Sequence, residues 1–145
     1  MAFRQTSSRQ LLLGYRVMGS TNFNLGVPHI MSEENKRVVR RLLEEVWGKG
    51  NLSVLPELVA PDCIGHAATA GFRLEGIDQY RQFVATYQAL LGDAGVTIED
   101  QLAEGDRVAT RWTTSIRLPD DADTAAPQPA SVMGFHRLAE GKVVE

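Results

Sequence analysis

At 145 residues the chain is long enough for one domain around a single core and too short for two. Hydrophobic residues at 43% and charged residues at 23% are ordinary globular proportions, and a net charge of −3 offers no electrostatic footprint for DNA or RNA. A single cysteine, Cys63, excludes an intrachain disulfide and a cysteine-rich zinc site, and the three dispersed histidines form neither an HxH nor an HExxH pair.

The first thirty-odd residues carry Arg4, Arg9 and Arg16, several Ser and Thr, and no acidic residue before Glu33. Such a leader fits either a transit peptide or an extension ahead of a start at Met31. Helix signals begin directly after Met31, so residues 1–31 are assigned as an extension, disordered or spurious, and 32–145 as the domain. Leu11-Leu12-Leu13 is the longest bare aliphatic stretch there, far short of a membrane span, and the expected location is the cytoplasm.

Ser32 is placed to cap a helix whose first turn holds Glu33 and Glu34. Val38, Leu42 and Val46 recur at every fourth position, with Val39, Leu43 and Trp47 one step behind, making one broad apolar face up to Gly48 and Gly50. Lys36, Arg37, Arg40 and Arg41 face Glu44 and Glu45 as a solvated side. A shorter helical piece, 52–59, presents Leu55, Leu58 and Val59 before Pro61 stops it. Residues 63–67 are a short strand, in which Cys63 reads as a small buried hydrophobe.

A second long helix spans 76–91 with the stripe Ile77, Tyr80, Val84, Tyr87 and Leu91, and Gly92 and Gly95 then break the chain. Residues 96–103 and 107–116 form a hairpin through Glu104-Gly105-Asp106. A Pro- and Asp-rich loop, 119–129, leads to a strand over 131–139, and Glu140-Gly141 turns it into 142–145. Helices followed by hairpin-linked strands predict an α+β fold, with helices on one face of an antiparallel sheet.

Alternation along the central strand puts Val108, Thr110, Trp112 and Thr114 on one face and Ala109, Arg111 and Thr113 on the other. The first set is the natural inward one, which makes Trp112 either core or the wall of a pocket. His136 shares a face with Gly134 and Leu138, and Phe135 shares the opposite one with Arg137. His136 and His66 each read either as a hydrogen-bonded core residue or as a pocket donor for a carbonyl or developing enolate oxygen.

The ordered segments VWGKGNLSVLPELVAPD, EDQLAEGDRVATRW and HRLAEGKVVE resemble the SnoaL-like polyketide cyclase (ester cyclase) family of the NTF2-like superfamily, over residues 33–145. The resemblance implies a cone formed by a curved antiparallel sheet, helices on its concave face, and one deep apolar pocket. It implies intramolecular aldol condensation of a largely apolar carbonyl substrate, with an aspartate as general acid/base and no metal or cofactor. His66 in PDCIGHA and His136 in GFHRLAEGK stand where the family has two pocket histidines. Trp47, Tyr80, Val84, Thr110 and Trp112 are the candidate substrate-binding residues. Members are often homodimers through the outer sheet face, near which Arg111 and Thr113 would lie; no nucleic acid or membrane partner is implied.

One departure bears on catalysis: the family's aspartate would fall a few positions after Glu145, so the fold is expected to lack the last strand and C-terminal helix. Asp100 or Glu99 is then the substitute carboxylate, since alternation puts Asp100 on the face of Val96, Ile98 and Leu102. The other reading has Asp100 hydrogen-bonding at a strand irregularity. Glu145 is expected to be mobile, and the strand around Phe135 to present an unpaired edge with the cavity open beside it. Two further functions fit the same pattern: a non-catalytic binder of a hydrophobic small molecule, and a dimerising interaction domain.

Overall fold

The computed structural model describes residues 27–67, 71–91, 95–116 and 128–145. Helix α1 (Val27–Arg41) continues without a break into a π-helical segment, Leu42–Gly48. A 3-10 turn (Leu52–Val54) and a short α2 (Leu55–Leu58) follow, then strands β1 (Ile64–Ala67) and β2 (Phe72–Glu75). After α3 (Gly76–Leu91) come β3 (Val96–Glu104), β4 (Arg107–Ile116), β5 (Gln128–Ala139) and β6 (Lys142–Val143).

The first helix begins at Val27, so Ser32 lies inside it and is not its N-cap. Pro28 suits a first turn, where its missing N–H bonds to nothing in any case. Four residues of this helical run, Val39, Leu42, Leu43 and Val46, are at most 1% exposed and form one wall of the core. On the opposite side Lys36 pairs with Glu33, Arg40 with Glu44 and Arg41 with Glu45, the i,i+3 and i,i+4 spacings of a solvated face. Asn35, itself buried, donates to the Gly105 carbonyl at 3.1 Å and ties α1 to the tip of the β3–β4 hairpin. Gly105 sits at φ +58° there, a conformation other residues adopt with strain.

Strands β3, β4, β5 and β6 form one antiparallel sheet in that order, and β1 and β2 pair separately. The β4–β5 pairing is unbroken from Arg107↔Arg137 to Ile116↔Gln128, so β5 starts three residues earlier than alternation predicts and takes in Pro129. Most of the expected 119–129 loop lies outside the described residues. Strand β2 was not legible in FRLE, whose four residues have too few apolar positions to show a period. It pairs with β1 from Ile64↔Glu75 to Ala67↔Phe72.

Two corrections concern carboxylates. A bulge between Ile98 and Asp100 shifts the β3 register by one residue, so Val96 and Ile98 point inward but Asp100 does not. Asp100 is exposed opposite Arg111, Leu102 is exposed too, and Gln101 and Ala103 take the inward positions. Glu145 is held rather than loose, its carbonyl accepting the Arg137 N–H at 2.7 Å.

Short as it is, β6 joins three parts of the molecule. It pairs with Leu138 and Ala139 of β5 and bridges in parallel to Val59, while Ala60 N–H donates to the Val143 carbonyl at 2.9 Å. Ile64 N–H donates to the Val144 carbonyl at 2.9 Å, which fastens β1 to the same segment. The core lies between the helices and the inner sheet face, where Val108, Leu138, Val143, Val84, Leu55 and Val59 are all at most 4% exposed. No described helix is long and apolar enough to cross a membrane.

Candidate functional site

A cavity of about 760 Å³ opens between the helical layer and the sheet. Its helical wall is aromatic. Trp47 comes from the π-helical segment, and Tyr80, Phe83 and Tyr87 come from one stripe of α3. The Trp47 ring meets all three edge-on, with centroids 6.0, 5.9 and 5.4 Å away. Its Nε1–H donates to Tyr80 Oη at 2.9 Å, and burial raises the Tyr80 phenol well above its usual pKa. Gln88 of α3 donates to the Trp47 carbonyl, fixing the backbone that carries the indole.

The facing wall comes from β4 and β5, through Trp112, Val132, Gly134 and His136. Burial pushes the His136 imidazole down to about 4, so it is neutral at pH 7. Its Nδ1 is buried without a hydrogen-bond partner among the described residues. Buried polar atoms of this kind are nearly always satisfied, so an unsatisfied one on a cavity-lining residue calls for a bound water or ligand group.

Nearer the rim, His66 Nε2 lies 3.0 Å from Glu145 Oε1, and Arg137 Nε donates to Glu145 Oε2 at 3.0 Å. All three residues line the cavity. Arg137, and then His66, hold the Glu145 carboxyl below its usual range. When the glutamate accepts a hydrogen bond from His66 Nε2–H, the lone pair of His66 is on Nδ1, the arrangement of an imidazole base steadied by a carboxylate.

The structure thus gathers Trp47, Tyr80, Trp112, His66 and His136 around one cavity. Val84 and Thr110 belong to the packed core instead, at 0% and 1% exposed, with Thr110 Oγ1 accepting from Gln101 Nε2 at 3.1 Å. Asp100 does not reach the cavity, and Glu99 accepts from Thr113 on the outer side at 3.0 Å. Glu145 and Phe83 were missed. Phe83 stands one helical turn from Tyr80 and was within reach of the stripe argument; Glu145 carries no local signal, because only the β5–β6 pairing brings it to the cavity. Among the described residues no three His, Cys, Asp or Glu side chains gather into a metal-holding group.

The profile of the SnoaL-like domain family matches residues 39–145. The chain belongs to the SnoaL-like domain family. Solved structures of members and relatives share the fold. A candidate polyketide cyclase from Acidithiobacillus ferrooxidans is 21% identical at a TM-score of 0.68, over 79% of this chain and 85% of that one. A candidate SnoaL-like polyketide cyclase from Jannaschia sp. CCS1 is 26% identical at 0.63, over 78% and 82%. An epoxide hydrolase of the LEH-like type from M. tuberculosis is 17% identical at 0.63, over 79% and 76%. No curated protein matches the sequence significantly. The SnoaL-like domain here is therefore an NTF2-like α+β fold, as the resemblance implied.

Proposed function

We propose that this SnoaL-like protein is an enzyme of the polyketide/ester-cyclase type, closing a ring in a small, largely apolar carbonyl compound by intramolecular aldol condensation. The observation that carries the reading is the neutral His136 on a largely apolar and aromatic stretch of the cavity wall, its buried Nδ1 without a partner among the described residues. A carbon between two carbonyls loses a proton readily, because the resulting enolate is delocalised. His66, steadied by Glu145 and Arg137, removes that proton. The enolate carbon attacks the second carbonyl, forming one C–C bond while its oxygen takes up the charge. His136 donates to that oxygen, and the proton held by His66 returns to it, so the product is an isomer of the substrate. The aromatic walls fold the chain so that the reacting carbons meet. The step as written uses no metal or cofactor.

The test is incubation with a β-keto ester that carries a second ketone placed to close a six-membered ring, in deuterated buffer. Deuterium entering the acidic carbon reports proton abstraction, and a new C–C bond in the carbon NMR spectrum reports closure. Both should fall in His66→Ala, and closure should fall furthest in His136→Phe. Saturable binding with neither signal would replace this reading with that of a non-catalytic binder of hydrophobic small molecules.

A second copy of the chain is the proposed partner. The outer sheet face carries Leu102, Met133 and Phe135 at 69%, 63% and 76% exposed. Leu102, Ala109 and Phe135 are cross-strand neighbours in one row, and Asp100, Arg111 and Met133 form the next. An apolar row beside opposite charges is a self-complementary surface for a two-fold interface.

A further inference from the structure

We infer that Gly134 determines substrate girth: its missing side chain is the clearance in which the Trp112 indole lies, and this sets the width of the cavity beside His136. The inference rests on the cavity being the substrate pocket.

Gly134 pairs with Thr110 across β4–β5, and Trp112 pairs with Val132 one step along the same face. The indole therefore reaches diagonally over the Gly134 backbone, as long side chains do between neighbouring strands. A Cβ at this position would stand 3.0 Å from Trp112 Cη2, 3.1 Å from Cζ3 and 3.4 Å from His136 Cε1. The first two distances are closer than carbon atoms settle without one of them moving.

Backbone geometry does not ask for glycine here. Gly134 is not among the residues at positive φ, and a strand interior favours almost any residue over glycine. What the position does require is room. The atoms that would be struck are the far edge of the indole, which turns on its own side-chain bonds while the strand stays put. Trp112, Gly134 and His136 all line the cavity, so an indole lifted off β5 moves into the space beside the imidazole. One methyl group at residue 134 thus removes more cavity width than its own volume. With glycine in place, the cavity keeps room for a substrate body that is broad next to the reacting carbonyl.

The experiment measures dissociation constants for cyclohexenone, 1-tetralone and anthrone, which carry one, two and three rings. Proteins compared are the parent, Gly134→Ala, and Gly134→Ala combined with Trp112→Phe. In Gly134→Ala, anthrone should weaken by roughly tenfold or more while cyclohexenone stays within about twofold. The smaller ring of the double variant should bring anthrone binding back. Equal weakening of all three ketones, or none, overturns the inference.

If the parent protein binds none of them, the pocket reading fails, and a ligand-free measurement decides the steric claim separately. In a Trp47→Phe background Trp112 is the sole tryptophan. Its emission maximum and acrylamide quenching should shift when Gly134→Ala is added. Unchanged emission and quenching would overturn the claim.

Discussion

Trp47 and Tyr80 are joined twice, by an indole-to-phenol hydrogen bond of 2.9 Å and by an edge-to-face contact with ring planes at 85°. The pair ties the π-helical segment to α3 at the cavity wall. Tyr80→Phe keeps the ring contact and leaves the indole N–H without its acceptor. Loss of such a partner costs about 1–3 kcal/mol where the donor is buried. Urea denaturation should show a fall in that range with an unchanged slope, and full parental stability would mean that the hydrogen bond contributes nothing.

His136 gives the acid side of the stability profile a definite sign. Its pKa is lowered from 6.5 to about 4 by burial, so the unfolded chain takes up a proton that the folded protein refuses. Stability is therefore full above pH 6.5 and declines as pH falls towards about 4, by on the order of 3 kcal/mol from this residue. His136→Phe, similar in size and without a titrating group, should flatten that stretch of the curve. A histidine ring proton titrating near pH 6.5 in the NMR spectrum of the folded protein, assigned to His136, would contradict the burial argument.

Glu145 is solvent-exposed by contrast, and its ion pairs belong to the weakly stabilising kind. With its pKa lowered in the folded state, its contribution is present above the ordinary carboxylate range and fades as pH drops through the lowered value. Glu145→Gln should leave the melting temperature at neutral pH nearly unchanged. Proton abstraction should nonetheless slow by about tenfold or more, because His66 loses the carboxylate that steadies it. Deuterium exchange at the parental rate would leave Glu145 as a surface ion-pair partner only.

On the outer face, Phe135→Lys puts a charge in the middle of the exposed apolar row. Light scattering behind a sizing column should show a dimer for the parent and a monomer for the variant. A parent protein that stays monomeric at high concentration argues against the self-association. Asp100→Asn, on the same face, should leave proton abstraction as it is.

Legibility followed the range of the interaction. Helix α3 runs from Gly76 to Leu91, the bounds its apolar stripe predicts, because each residue's face there depends on neighbours three or four positions away. The β4 alternation behaves alike, with Val108, Thr110 and Thr114 buried and Arg111 exposed. His136 was readable for the same reason, through its parity with Leu138. The face of Asp100 was not, since one extra residue in β3 reverses every face after it, although the bulge falls where the other reading had set a strand irregularity. His66 and Glu145 lie 79 positions apart, and no local pattern relates them. Nor does the run LLEEVWG differ in composition from an ordinary α-helix, although it winds as a π-helix.

The stitching around β6 also orders events in time. A two-stranded ribbon such as β1–β2 is marginal by itself, and its backbone bond to the rest of the fold runs from Ile64 to Val144. Lys142 likewise reaches back to the Pro56 carbonyl at 2.8 Å. As the ribosome extends the chain, residues 56 to 75 must therefore wait for roughly seventy more before their docking site exists. During that interval the aromatic wall of the cavity has no floor beneath it. A nascent-chain release assay should find protease resistance arriving late and abruptly, with the emergence of residues 142–145.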